Sequence, residues 1–203
     1  MKFDKIENLA WVLPRPRKVK YKGGFPLHAE IKILREIGCD PKKNPSIKIL
    51  HPFGGKAEYG IRVDINPEVN PDYIGDAHNL TMFEDEIFDV VFLDPPYTDE
   101  YSESLYNTGK LNFSKYTKEA VRILKEGGYL IMYHYLATPQ IPNTILVKRI
   151  FIETRPWHRI RVVHIHYKSK KLWELKKNEI NKIKIKRQRT EYNNKTLALL
   201  FQE

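Results

Sequence analysis

The residues with the clearest chemical potential are Asp94-Pro95-Pro96-Tyr97. Two successive prolines fix the backbone φ and remove two donors, so the loop is rigid and presents carbonyl oxygens. A carboxylate beside those carbonyls makes an acceptor-only cradle suited to an amino group. Tyr97, one step on, supplies a ring on which a planar base can stack. An exocyclic base amine is a poor nucleophile because its lone pair is delocalised into the ring. Acceptors on both N–H bonds favour a more tetrahedral nitrogen, whose lone pair can then meet an electrophile, and positioning alone supplies the catalysis. Two further carboxylates, Asp64 and Asp76, lie upstream.

The elements that must position these groups follow from apolar runs. Ser46 to Leu50, Tyr59 to Ile65 and Tyr73 to Asp76 read as successive strands, and Phe88 to Leu93 as a buried strand leading into Asp94. His28 to Ile37 carries Ile31, Ile33, Leu34 and Ile37 at helical spacing, with Gly38 placed to cap it. Phe113 to Leu124 is a second helix, closed by Gly127-Gly128, and Tyr129 to Tyr135 a fifth strand. Asn143 to Ile152 reads as a helix, Arg159 to Tyr167 as a strand and Thr196 to Phe201 as the last strand. Alternating strands and helices followed by strands predict an α/β fold, mainly parallel with a C-terminal antiparallel hairpin. In such a sheet Asp64, Asp76 and Asp94 converge at the carboxyl ends of strands, where ligands bind. An acid after the second strand can accept both ribose hydroxyls of an adenosine, and one after the third can accept from its amino group.

At 203 residues the chain suits one α/β domain, and its hydrophobic fraction of 41% is that of a globular protein. No run of about 18 apolar residues indicates a membrane span. The charged start, Met1 to Asn8, does not read as a secretory signal, and the single Cys39 excludes an internal disulfide; a cytoplasmic setting is expected. The net charge of +10 is unevenly placed. Between Lys168 and Arg189, ten Lys/Arg face only Glu174 and Glu179, while Arg15, Arg17, Lys18, Lys20 and Lys22 cluster near the start. Such clusters attract polyanions. The expected organisation is a basic N-terminal arm over 1–27, irregular through Trp11 to Pro26, and one domain over 28–203 with a basic insert at 168–189. Within the insert, Leu172, Leu175 and Ile183 hint at helix, and Ile183 with Ile185 at strand.

Five segments together resemble class I S-adenosylmethionine-dependent methyltransferases: Ile47 to Gly55, Val63-Asp64-Ile65-Asn66-Pro67, Gly75 to Leu80, Phe88 to Tyr97, and Leu124 to Leu130. The Asp-Pro-Pro-Tyr form is similar to amino methyltransferases acting on adenine N6 and to RNA enzymes acting on guanine N2. The resemblance implies a Rossmann-like sheet with S-adenosylmethionine as cofactor. It implies that Pro52, Phe53 and Gly54 form the methionine-side loop, that Asp64 holds the ribose, and that Asp76 with Ala77 meets the adenine. It implies that Asp94, Pro95, Pro96 and Tyr97 hold the target base.

Two departures stand out. His51 occupies a position that is usually acidic, and thirteen positions from His51 to Asp64 are too few for a full glycine loop, helix and strand. The first crossover helix is therefore expected to be shortened or lost. No recognition domain is visible, so specificity falls to the arm, the insert, a second copy or a partner subunit. The leading reading is adenine-N6 methylation in DNA. An RNA base methyltransferase (guanine N2 or adenine N6) is the second, with cytosine N4 less suited because that chemistry more often carries Ser than Asp in the loop. A non-catalytic nucleic-acid-binding subunit on the same fold is the third. His134, Lys170, Lys171 and Arg187 are the expected substrate contacts; no metal site is expected, since His164 and His166 share a strand face without further ligands. Gly54-Gly55-Lys56 lacks the upstream glycine of a phosphate loop, and Trp157 suits stacking or packing equally.

Overall fold

The computed structural model describes residues 6–14, 28–96, 111–135, 137–154 and 159–181. Eight strands form one sheet: β1 (Glu7–Val12), β2 (Ile49–His51), β3 (Ile61–Asp64), β4 (Tyr73–Ile74), β5 (Phe88–Leu93), β6 (Leu124–His134), β7 (Thr144–Glu153) and β8 (Arg161–Lys168), in spatial order β1-β7-β8-β6-β5-β2-β3-β4. Every neighbouring pair is parallel except those made by β8, which runs antiparallel to both β6 and β7. This is the Rossmann-like α/β arrangement, mainly parallel with a C-terminal antiparallel hairpin. Chain order reverses between β2 and β5, so the ends of these strands and of β3 border one crevice.

Period-two alternation divides the core between two helices. Leu50, Val91, Leu93, Leu130 and Met132 point to the face covered by α2 (Phe113–Ile123). Ile49, Val90, Phe92, Ile131 and Tyr133 point to the face covered by α1 (Ala29–Glu36). Asn112 caps α2 by accepting the Lys115 N–H, and Gly38, at φ 74, ends α1 with its N–H on the Arg35 carbonyl. Among the described residues no helix is long and apolar enough to cross a membrane.

Two expectations are corrected. Asn143 to Ile152 is not a helix but strand β7, with Ile150 and Ile152 buried between exposed Phe151 and Glu153. A register irregularity between Leu146 and Lys148 interrupts its alternation, which gives an extended segment the apolar spacing of a helix. The irregular arm starts later than Trp11, because β1 runs to Val12 and pairs with all of β7 from Lys148 to Glu153. Lys32 of α1 sits over the Trp11 ring at 4.3 Å and ties that edge to the helix. The basic insert is resolved in favour of helix over 170–181, while its remainder and the strand expected at Thr196 to Phe201 lie outside the described residues.

His164 and His166 do share a face, opposite Met132 and Leu130 on the α2 side. His166 Nδ1 lies 3.1 Å from Thr144 Oγ1, whose own proton goes to the Ile141 carbonyl, so the ring donates through Nδ1. His164 Nδ1 and His166 Nε2 are buried without a hydrogen bond among the described residues. Burial first, then neighbouring positive groups, pushes His164 down to about 4 and His166 down to about 3. Both folded values lie below the ordinary one near 6.5, so stability is intact above that pH and declines as pH falls towards 4. His164→Leu, which removes one of the two protonations, is expected to lessen that decline. Thermal denaturation at pH 8, 6 and 4.5 checks it; equal pH slopes in the two proteins would contradict the assignment.

Candidate active site

The connection from β2 to β3 contains nine residues, 52–60, and they form turns rather than a crossover helix. Parallel neighbours are usually joined by a dozen or more residues, so this chain must hold its short connection by other means. One is Glu30 of α1, 5% exposed, whose carboxylate accepts the N–H groups of Glu58 and Tyr59 at 2.9 and 3.0 Å. His51 Nε2 lies 3.1 Å from the same carboxylate, and the His51 ring stacks on Phe92 at 4.8 Å. A second is glycine. A Cβ on Gly60 would meet the Ile49 carbonyl at 2.5 Å, and one on Gly54 would meet Arg62 Cβ at 2.6 Å, so only bare backbone fits.

The folded loop reaches Asp64 directly. Gly54 N–H donates to the Val63 carbonyl, Gly55 N–H to Asp64 Oδ2 at 2.8 Å, and Asn66 N–H to Asp64 Oδ1 at 2.9 Å. Each carboxylate oxygen keeps a lone pair for a further donor. Pro52 is buried, and Phe53 meets Tyr116 of α2 edge-on at 5.3 Å. Asp76 follows β4 and is exposed; Oδ1 accepts from His78, and Oδ2 makes no hydrogen bond among the described residues. Ala77 beside it is buried.

Asp94 directly follows β5, whose last pair is Leu93 with Met132, and its charge acts on Tyr133 of the α1 face. It is half-buried, Pro95 is buried and Pro96 half-buried, while Tyr97 lies outside the described residues. No hydrogen bond to Asp94 is formed among the described residues. Burial pushes its carboxyl up to about 7, against the lowering field of Arg161. Thus three carboxylates stand at the ends of parallel strands β3, β4 and β5 on one edge of the sheet.

His134 ends β6 on the opposite face. With Phe113, Tyr116, Met132, Ala137, Thr138 and Pro139 it lines a cavity of about 120 Å³. Burial and the Arg161 charge lower its pKa, which favours the neutral ring. Lys170 and Lys171 are not brought to this edge. They follow Lys168, and β8 spans seven residue steps from Arg161, roughly 23 Å at about 3.3 Å each. Lys168, counted with the insert, is 2% exposed and donates to Glu86 and to the Val121 and Leu124 carbonyls. Lys170 contacts Glu86 at 3.3 Å, and Arg187 and Trp157 lie outside the described residues.

Two residues of this edge escape a pattern reading. Glu30 sits three and four residues before Ile33 and Leu34, an acid on an apolar stripe, and that incongruity was its signal. Arg161 shares strand parity with buried Val163 and Ile165, so a charge there points inward. Among the described residues no three His, Cys, Asp or Glu side chains gather as a metal site.

No family model matches the chain, and no curated protein matches it. Solved structures similar to it include the Escherichia coli protein yhhF, named as a methyltransferase, at 11% identity over 78% of this chain and 92% of that one, with a TM-score of 0.48. A Haemophilus influenzae protein named as a methylase is 12% identical over 68% of this chain and 88% of that one, with a TM-score of 0.43. A conserved Streptococcus pyogenes protein is 17% identical over 68% and 94%, with a TM-score of 0.42.

Removing the Glu30 carboxylate would strand two backbone donors beneath the loop. Glu30→Ala is expected to destabilise the protein by on the order of 3 kcal/mol, and Glu30→Gln by less, as one amide oxygen still accepts. Urea denaturation measures both, and an unchanged midpoint for Glu30→Ala would show that the loop holds itself.

Proposed function

We propose that the protein is an S-adenosylmethionine-dependent methyltransferase acting on an exocyclic amino group of a nucleic-acid base, with adenine N6 in DNA as the first choice. The observation that carries this reading is Asp94: a half-buried carboxylate, open to a donor among the described residues, beside two prolines at the crevice edge. The acceptors in the crevice fit the cofactor's donors. Asp64 retains lone pairs for ribose hydroxyls, and Asp76 Oδ2 is open for an adenine amino group. S-adenosylmethionine, when bound, supplies an electrophilic methyl group.

The chain's own contribution is orientation and acceptance of a proton. Asp94 and the proline carbonyls accept the amine N–H bonds, which turns the nitrogen lone pair outward. Methylation leaves one proton too many on nitrogen, and a carboxylate near pH 7 is matched to receive it. Tyr97 is assigned the stacking of an extruded base. His134, neutral and on a cavity wall, is assigned a substrate contact. Lys170 and Lys171, at the far end of β8, are assigned only to nucleic acid that extends across the sheet. Their helix over 170–181 also supports the second reading, an RNA base methyltransferase, because shape-directed RNA binding needs no separate recognition domain.

Asp64→Ala is expected to weaken cofactor binding by about 2–4 kcal/mol in calorimetry. Asp94→Ala is expected to leave cofactor affinity near wild type and to depress turnover strongly. Normal turnover in Asp94→Ala would remove the proposed chemistry, and unchanged affinity in Asp64→Ala would place the cofactor elsewhere.

The pH profile has a defined sign. Asp94 accepts protons only when ionised, so turnover is expected to rise through a limb near pH 7. The Arg161 charge lowers that carboxyl, so Arg161→Gln is expected to move the limb to higher pH. A limb that stays in place would assign it to another group.

A further inference from the structure

Between Asp76 and helix α2 lies a histidine to which the chemistry above gives no task. The backbone N–H of His78 donates to Asp76 Oδ1 at 2.8 Å, and the ring Nδ1 lies 2.7 Å from the same oxygen. On the other side of the ring, Nε2 accepts the backbone N–H of Asn112 at 2.9 Å. A backbone amide can only donate, so Nε2 must hold a lone pair, and the ring proton then sits on Nδ1. Asn112 therefore selects the tautomer whose N–H points at Asp76. Asn112 is itself fixed, because its side chain caps α2 by accepting the Lys115 N–H at 3.0 Å. The His78 ring also meets Tyr116 of α2 edge-on at 5.8 Å.

The consequence falls on the carboxylate. Asp76 has an exposed side chain that would rotate freely if nothing held it. Two donors from one residue converge on Oδ1, while Oδ2 makes no hydrogen bond among the described residues. One oxygen is thus an anchor and the other an open acceptor.

We propose that His78 is a positioning residue for purine recognition: held in its Nδ1–H tautomer by the Asn112 amide, it pins Asp76 Oδ1 and leaves Oδ2 to accept from a purine 6-amino group. This rests on the reading that Asp76 takes the adenine amino group of the cofactor. A carboxylate so pinned discriminates sharply between a 6-amino and a 6-oxo ring, because the oxo compound offers an acceptor where a donor is needed. A freely turning one discriminates less, since it loses orientation on binding.

The test compares S-adenosylhomocysteine with its deaminated analogue, S-inosylhomocysteine, by calorimetry on the full chain. Wild type is expected to prefer the amino compound by about tenfold or more, as for a hydrogen bond to a charged group. Asp76→Ala is expected to erase the preference. His78→Gln places an acceptor where Nε2 stands, keeping the Asn112 contact, but has no donor at Nδ1; its preference is expected to fall most of the way to that of Asp76→Ala. His78→Asn keeps a donor near Nδ1 without the Asn112 contact and is expected to fall between. A side chain that only supports the fold would weaken both ligands equally and leave the ratio unchanged. Nitrogen NMR on the wild type gives a reading independent of any variant, with His78 expected as the neutral Nδ1–H form. A wild-type preference that Asp76→Ala removes but His78→Gln retains would overturn the role of His78 alone, and so would an Nε2–H ring. A wild type without preference, or an Asp76→Ala protein that keeps it, would overturn the reading of Asp76 and this proposal with it.

Discussion

The carboxylate of Glu30 is the contact on which the crevice depends. A parallel pair normally places a helix between its strands, and that helix both covers the sheet and sets the loop preceding it. Here α1, from an earlier part of the chain, covers the face, and one of its acids reaches across to hold Glu58 and Tyr59. With those residues fixed, the turn can run back along β3, and Gly55 can donate to Asp64. The glycine loop and the acid at the end of β3 are therefore joined by a hydrogen bond instead of being spaced by a helix. His51, where an acidic residue would be usual for the family the sequence resembles, lies against Glu30, so a carboxylate from α1 occupies that neighbourhood.

The two faces of the sheet carry different electrostatic tasks. On the α1 side, Asp94 meets buried Tyr133 and the field of Arg161, and desolvation keeps its carboxyl near neutrality. A raised carboxyl costs stability once it ionises, so a fold retaining it at a strand end is holding a group in a state that packing alone disfavours. On the α2 side, His134, His164 and His166 are all held towards the neutral form by burial. The strand ends between these faces carry Asp64 and Asp76, whose oxygens are partly engaged by backbone N–H groups of nearby loops. The arrangement is preorganised in its acceptors, and under the proposed function the donors that complete it are those of an adenosine and a base amine.

Much of this was legible because the informative patterns were unbroken. The run from Phe88 to Leu93 is apolar apart from Asp89, and a strand of that kind ending in Asp-Pro-Pro could hardly be read otherwise. The lost crossover was legible from spacing alone. Strand β7, which reads as a helix in the sequence, was not, because an irregular register at Leu146 to Lys148 shifts which side chains face the core. β1 was missed because Leu9 to Val12 are apolar throughout, so the sequence shows no period of two although the exposure of the strand alternates. Glu30, Arg161 and His78 were missed for a different reason. Each matters through a partner distant in sequence, Tyr59, Asp94 and Asn112 respectively, and a periodic pattern does not report such pairings. The basic insert shows the converse: Lys168 adds to its charge but is spent inside, beneath α2, on carbonyls and Glu86.

The central proposal is that this crevice transfers a methyl group to an exocyclic base amine. Incubating the full chain with methyl-labelled S-adenosylmethionine and separate DNA and RNA pools, then digesting to nucleosides, tests it without assuming a target sequence. Label in N6-methyladenosine, in its deoxy form from the DNA pool, is the expected result, and N2-methylguanosine from the RNA pool would keep the chemistry while changing the polymer. Label on a ring carbon, or in neither pool while the cofactor binds, would contradict it.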